Sequence, residues 1–240
     1  FDDVRSAISG CKYVFHYAAQ ADIGLSNIDP VETIQRNING TQNLLEVIRK
    51  QKIKRLVFAS TIYVYSELGS FYRVSKQACE KLIEEYNRQF SVQYTILRYG
   101  SLYGPRANKF NFINNMLNQA IKHNKIERQG NGEEIREYIH VKDAAKISLK
   151  SLNKKYNNSH LIISGNQSIK VKDMLNMVKE IFQDKIKIIY LDDTESYHYN
   201  ITPYNYRPRI AKKITSESYH DLGQGLMDLI YEIKNKNELL

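Results

Sequence analysis

Tyr72 and Lys76 stand four residues apart in the stretch FYRVSKQACEKL, residues 71–82. On a helix such a spacing puts two side chains one turn apart on the same face. An ammonium beside a phenol favours the phenolate. The chemistry this implies is general base catalysis by Tyr72, with Lys76 drawing the phenol pKa down from about 10. Spacing alone discriminates little among 18 tyrosines. A second pair, Tyr138 and Lys142 in YIHVK, falls where a strand runs into a turn and positions four apart do not stack. The setting of the first pair is different. The apolar run RLVFASTIYVYS just upstream carries Ser60 and Thr61 at its end. The carboxyl ends of parallel strands form the ligand crevice of an α/β sheet, so a hydroxyl there can hydrogen-bond the group that Tyr72 deprotonates.

The elements that must position these groups alternate along the chain: KYVFH (12–16), a helix over 30–50, RLVFAS (55–60), a helix over 72–89 and QYTILR (93–98). Near-continuous apolar strands separated by helices predict a parallel sheet covered on both faces. Beyond Pro105 the texture changes to an Asn-rich helix (108–122), a GNGE turn, REYIHV, a helix near 143–153, HLIIS (160–164), a helix over 170–182 and KIIYL. The tail holds YNYRPRIAKK and a last helix over 222–235. A core domain over 1–105 and a looser lobe over 106–240, some of whose segments return to the main sheet, are expected. Asp143 reads as a helix N-cap, His16 and His140 as structural histidines, and Asp192 and Asp193 as loop solvation.

Composition narrows the classes. Of 240 residues 42% are hydrophobic and 25% charged, close to a soluble globular domain, and no apolar run is long enough to span a bilayer. Cys11 and Cys79 are the only cysteines and form no CxxC or Cys/His cluster, which argues against a disulfide framework or a metal site and for a reducing cytosol. The net charge of +9, from 35 basic and 26 acidic residues, favours anionic partners such as nucleotides, phosphates or nucleic acid. The lysines are nonetheless scattered, as on solvated helix faces. The opening FDDVRSAISGC is not a signal peptide and reads as a beginning cut from something longer.

Taken in order, HYAAQAD, NINGT, VFASTIYVY, YRVSK, LRYGSLYGPR, GNGEEIREYIHVKDAA and the RPR of the tail run through nearly all of the chain. In these motifs it resembles the extended short-chain dehydrogenases/reductases, in particular the NAD-dependent nucleotide-sugar epimerases and dehydratases. The resemblance implies a Rossmann-like doubly wound parallel sheet with a smaller C-terminal substrate-binding lobe, NAD as cofactor and a nucleotide-diphosphate sugar as substrate. It matches Tyr72, Lys76 and Thr61 to the catalytic groups. To the cofactor it matches Tyr17, Ala18, Ala19, Gln20, Asn37, Ser60, Gly100 and Ser101 together with Tyr72 and Lys76. To the substrate it matches Asn111, Arg136, Arg207 and Arg209, the arginines by virtue of forks that suit diphosphate oxygens.

The implied reaction is epimerisation through a transient keto sugar, in the cytoplasm and for surface polysaccharide synthesis. Similar enzymes that dehydrate carry an Asp-Glu pair directly after the catalytic threonine; here Ile62 and Tyr63 follow Thr61, which disfavours dehydration. Ser66 stands where VYG is usual. A nucleotide-sugar reductase or dehydrogenase is the alternative, and a non-catalytic nucleic-acid-binding relative of the fold is a reading from another class. Similarity further implies a homodimer through the helices near 30–50 and 72–89.

One departure stands out. The 11 glycines contain no GxxGxxG turn, which in such sheets receives the pyrophosphate at a helix N-terminus. With βαβ units of about 30 residues, roughly 60 residues are wanting before Phe1. The expectation is a fragment without its first three strands, weakened in cofactor binding to the point where turnover by this stretch alone is in question, with KYVFH as an unpaired edge; a natural domain that has lost catalysis is the other possibility.

Overall fold

Apolar runs become strands and the amphipathic stretches between them become helices. The computed structural model describes residues 1–51, 53–192, 200, 211–215 and 217–238. In chain order the elements are α1 (Asp2–Ala7), β1 (Tyr13–His16), α2 (Ile23–Ile28), α3 (Pro30–Ile34), a π-helical turn (Gln35–Asn39), α4 (Gly40–Gln51), β2 (Arg55–Thr61), a 3-10 turn (Ile62–Tyr65), α5 (Ser70–Phe90), β3 (Tyr94–Tyr99) and β4 (Ser101–Tyr103). There follow α6 (Phe112–His123), β5 (Lys125–Gln129), β6 (Ile135–His140), α7 (Val141–Lys150), β7 (Ser159–Ile163), β8 (Ser168–Lys170), α8 (Val171–Ile181), β9 (Lys187–Leu191), β10 (Lys212–Lys213) and α9 (Leu222–Glu238).

The chain divides into two compact units. The first comprises 1–99, 148–163 and 203–214. It is built on a five-stranded sheet in the order β1-β2-β3-β7-β10, every pairing parallel. Thr61 lies opposite Tyr99 and His16 opposite Phe58, so the carboxyl ends of β1, β2 and β3 form one rim. β2 is buried along nearly its whole length, which is why its sequence is an apolar run without alternation. Leu45, Ile48, Leu56, Phe58, Ile83 and Ile96 form the core between the sheet and helices α4 and α5. The second unit comprises 100–147, 164–202 and 215–240. It holds a three-stranded sheet β4-β6-β8, a separate parallel pair β5-β9, and an apolar core of Ile113, Leu117, Ile126, Met174, Leu175 and Leu226.

The helix expected over 30–50 is broken by the π turn at 35–39. The Asn-rich helix begins at Phe112 with Asn111 as its N-cap. The helix expected from Asp143 begins at Val141, so Asp143 sits inside its first turn and is not the N-cap. Its buried carboxylate instead accepts from the backbone N–H of His220 at 2.9 Å and from Nδ1 of the same residue at 3.0 Å. A partner 77 residues away outcompetes the local cap. β1 is the outer strand of its sheet, paired with β2 alone among the described residues. No helix among the described residues is long and apolar enough to cross a membrane.

Candidate active site

Thr61 ends β2 in an extended conformation and starts the 3-10 turn, its hydroxyl oxygen accepting from the Tyr63 N–H at 3.3 Å. A tight turn at a strand end holds that hydroxyl at the sheet rim. Gly69 then takes φ 101°, where a Cβ would lie 2.6 Å from the Tyr63 ring; only glycine fits that left-handed, crowded position. The chain thereby turns directly into α5, placing Tyr72 in its first turn and Lys76 one turn further. The Thr61 hydroxyl hydrogen-bonds the Tyr72 phenol. The Lys76 ammonium donates to the Ala59 carbonyl at 2.9 Å, lies 4.8 Å from the Phe58 ring centre and 5.9 Å from that of Tyr72. The three expected catalytic residues are brought together.

Their electrostatics differ from the expectation. Burial pushes the half-buried Tyr72 phenol up to about 12, against the opposing pull of the Thr61 hydrogen bond. Burial also takes the Lys76 ammonium down to about 8, despite Cys79 and Glu80 nearby. The expected lowering of Tyr72 by Lys76 does not appear: the ammonium is directed at the Ala59 carbonyl and the Phe58 ring, and loss of solvent outweighs the Thr61 hydrogen bond at the phenol.

Lys76 also carries the test of whether a dinucleotide fits. Its side chain is only 3% exposed, and among the described residues one protein acceptor, the Ala59 carbonyl, takes one of its three N–H donors. Two donors on a buried ammonium beside a strand-end hydroxyl suit the vicinal hydroxyls of a ribose. The residues present thus fit the nicotinamide-ribose end of NAD.

Around this centre the other expected cofactor residues have different fates. Tyr17 is exposed, stacks on Phe15, and meets the Tyr99 hydroxyl at 3.3 Å, which in turn meets Ser148 at 2.6 Å. Ala18 is exposed and Ala19 half-buried just past β1. Gln20 folds its side chain back onto the backbone N–H and carbonyl of Asp22 at 2.6 and 2.9 Å. Asn37 is buried and its amide is spent within the chain, accepting from the Gln20 N–H at 2.7 Å and donating to the Gln20 carbonyl at 2.9 Å and to the Ser75 hydroxyl at 2.8 Å. Ser60 turns away from the centre and donates to Glu80 at 2.5 Å.

Glu80 belongs to a network that sequence reasoning missed. It pairs with Arg98 through two contacts, at 2.5 and 3.0 Å, and Arg98 donates to the Tyr65 hydroxyl at 2.7 Å, all buried. The available signals were an arginine inside the apolar strand QYTILR and a glutamate one turn past Lys76 on the inward face of α5. Ile62 is buried and Tyr63 half-buried where a dehydratase pair is wanting. Ser66 in place of glycine has φ −105° and ψ 160°, an extended conformation open to any residue, and its hydroxyl accepts from the Leu68 N–H at 2.9 Å. His16 is held by Thr41 at 3.0 Å and kept neutral, its pKa lowered to about 4 by burial and by Lys76.

In the second unit, the side chain of Asn111 caps α6 through the Asn114 N–H at 3.0 Å and donates to the Leu102 carbonyl at 2.8 Å. Arg136 lies on β6, largely buried, with Nη1 donating to the Ile135 carbonyl at 3.1 Å. A Cβ on Gly100 would stand 2.9 Å from that of Ser164, so the backbone passes too close there for a larger residue, and Ser101 opens β4. Arg207 and Arg209 lie outside the described residues. His140, Asp143 and His220 bring ligand-type atoms within 4.8 Å of one another. The His140 Nδ1 accepts from the Lys142 N–H at 3.3 Å and both Asp143 oxygens lie 3.0 Å from His220 Nδ1.

The model of the NAD dependent epimerase/dehydratase family matches residues 1–164. The protein named "Putative UDP-glucose 4-epimerase" of Methanocaldococcus jannaschii is 29% identical, over 98% of this chain and 81% of its own length. The chain spans 65% and 59% of two other curated relatives. Among solved structures, the UDP-N-acetylglucosamine 4-epimerase of Methanobrevibacter ruminantium M1, in complex with UDP-N-acetylmuramic acid, superposes with a TM-score of 0.84 at 21% identity, over 98% of this chain and 80% of that one. The UDP-glucuronic acid 4-epimerase of Bacillus cereus, in complex with UDP-glucuronic acid and NAD, superposes at 0.83 and 22%, over 98% and 79%. At these identities the likeness is one of fold: an α/β protein on a parallel Rossmann-like sheet.

Proposed function

We propose, for a chain that belongs to the NAD dependent epimerase/dehydratase family, epimerisation of a sugar carbon in a nucleotide-diphosphate sugar through a transient keto sugar. The observation that carries this reading is the cluster of Thr61, Tyr72 and Lys76 at the carboxyl end of β2 with Ile62 and Tyr63, rather than two carboxylates, following the threonine. NAD, when bound, takes up and returns the hydride. The chain's own groups then have proton and positioning work. Tyr72 takes the proton of the sugar hydroxyl and gives it back to the keto oxygen. Thr61 donates to the Tyr72 oxygen in its charged form, and the Lys76 N–H groups not given to Ala59 hold a ribose. Inversion follows when the hydride returns to the opposite face of the carbon.

Residues 1–105 provide the cofactor side of this reading and residues 106–240 the substrate side, with Asn111, Arg136, Arg207 and Arg209 toward the diphosphate. A homodimer through α3, α4 and α5 belongs to it as well. It is supported by the exposed Val31, Phe71, Val74 and Phe90 and by a groove of 820 Å³ on α5 lined by Ile38, Ala78, Leu82 and Arg88. Light scattering of the unaltered chain and of Val74→Glu should give a dimer and a monomer. A cytoplasmic setting accords with the free thiols of Cys11 and Cys79, and surface polysaccharide synthesis with the substrate class.

The test is product analysis with NAD and a panel of UDP, GDP and CDP sugars. An epimer formed without net consumption of NAD, and lost by about 10²–10⁴-fold in Tyr72→Phe, is the expected result. Stoichiometric consumption or production of NADH would favour the reductase or dehydrogenase alternative instead.

A further inference from the structure

Asn37 was expected to touch the cofactor, yet both of its side-chain N–H groups are committed inside the first unit. What they hold is informative. One side of the amide grips the backbone of Gln20 at both its N–H and its carbonyl, fixing the loop between β1 and α2. The other donates to the hydroxyl of Ser75, which is fully buried, so water cannot replace either partner. A serine hydroxyl has one proton. Since it accepts from Asn37, that proton goes elsewhere, and it goes to the Tyr72 carbonyl at 2.8 Å.

The amide is placed by an unusual backbone. Asn37 lies at the middle of the π turn, a rare conformation that frequently occurs at functional sites. The Asn37 carbonyl takes the Thr41 hydroxyl at 2.6 Å and the Cys79 thiol at 3.2 Å, which pins the turn to α4 and α5. Thr41 in turn holds His16 at the end of β1. The polar path thus runs from the β1 end and the loop beyond it, through one amide and one hydroxyl, to the backbone of the first turn of α5.

We infer that Ser75 is a positioning residue, which with Asn37 couples the loop at residues 17–22 to the placement of Tyr72. The inference rests on the reading of Tyr72 as the acid/base group, but its test does not require turnover. A ligand that orders or shifts the loop acts on Tyr72 through two side chains that never touch it.

The experiment is ¹³C NMR of the chain labelled at tyrosine Cζ, with the Tyr72 signal assigned by its loss in Tyr72→Phe and the core residue Tyr94 as internal control. Ser75→Ala removes the hydroxyl. Asn37→Leu keeps the branched shape but removes the amide that holds Ser75 and the Gln20 backbone, freeing the first turn of α5 from the loop by a second route without adding a charge near the phenol. Both are expected to lower the Tyr72 titration midpoint by at least about one pH unit from about 12, toward the ordinary value of about 10 as the turn opens to solvent. Ser75→Thr, which keeps the hydroxyl, should restore it, and Tyr94 should not move. An unchanged Tyr72 midpoint in whichever of the two variants folds overturns the coupling, as does an equal displacement of Tyr94. Failure of the epimerase assay with these NMR results intact would overturn the enzymatic reading and leave the coupling standing.

Discussion

In the first unit, α5 presses Ser75, Lys76 and Glu80 inward, and the opposing elements answer with Asn37, Ser60 and Arg98. In the second, α6, α8 and α9 meet through an apolar cluster of Ile113, Met116, Leu117, Met174, Leu175 and Leu226, while Arg136, His140 and Asp143 of the same unit are buried outside that cluster. Both are buried to the same degree. Apolar packing is stabilising and indifferent to small displacements of partners, while buried polar groups are costly unless each is satisfied and so specify where their neighbours must lie. The first unit therefore gives up stability to hold a phenol, a hydroxyl and an ammonium in register. Three substitutions put that contrast at risk.

The largest effect is expected for Glu80→Gln. Removing the carboxylate charge leaves the Arg98 guanidinium, 1% exposed, without its ion-pair partner, and breaking a buried pair from one side costs about 3–5 kcal/mol. Urea unfolding should show this loss. A change under about 1 kcal/mol would mean that the pair behaves as a solvated one and that polar burial in the first unit carries less cost than argued.

Much of this was legible in the chain. The strands KYVFH, RLVFAS and QYTILR stand within a residue or so of their expected ends because continuous apolar runs have few alternatives inside a covered parallel sheet. Tyr72, Lys76 and Thr61 were found because local helix and strand-end geometry brings them together. What could not be read depends on long-range contact. The Asp143 carboxylate is claimed by His220, far along the chain. Ser60 is diverted to Glu80 by the same α5 that carries the site. The rise of the Tyr72 pKa comes from burial, which a four-residue spacing does not encode. The π turn has only a faint trace, in buried Thr33, Asn37 and Thr41 recurring every fourth position.

Lys76→Met is expected to act in the opposite sense to Glu80→Gln. The ammonium is buried with its pKa lowered to about 8 from 10.5, so the unfolded chain holds that proton more tightly than the folded one. Its cost is present in full below about pH 8 and is relieved as pH rises toward 10.5. Methionine should therefore stabilise the protein by about 3 kcal/mol at pH 7, at about 1.4 kcal/mol per unit, while abolishing ribose binding. The gain should shrink toward zero near pH 10.5, where the wild-type lysine is neutral. An equal gain at both pH values would assign it to packing instead of charge.

The smallest effect belongs to the second unit. Ile126→Val deletes one methylene from a fully buried site on β5 and should cost about 0.5–1.5 kcal/mol. Neither residue titrates, and the apolar neighbours of Ile126 have no proton to exchange with solvent. The cost should therefore be the same at pH 7 and pH 10, unlike that of Lys76→Met. Hydrogen exchange of the β5 amides at both values would measure it locally, free of the first unit's own response to pH. A cost that varied with pH would place a titratable group within reach of that core, and the division between the polar cluster on α5 and the apolar cluster of the second unit would fail there.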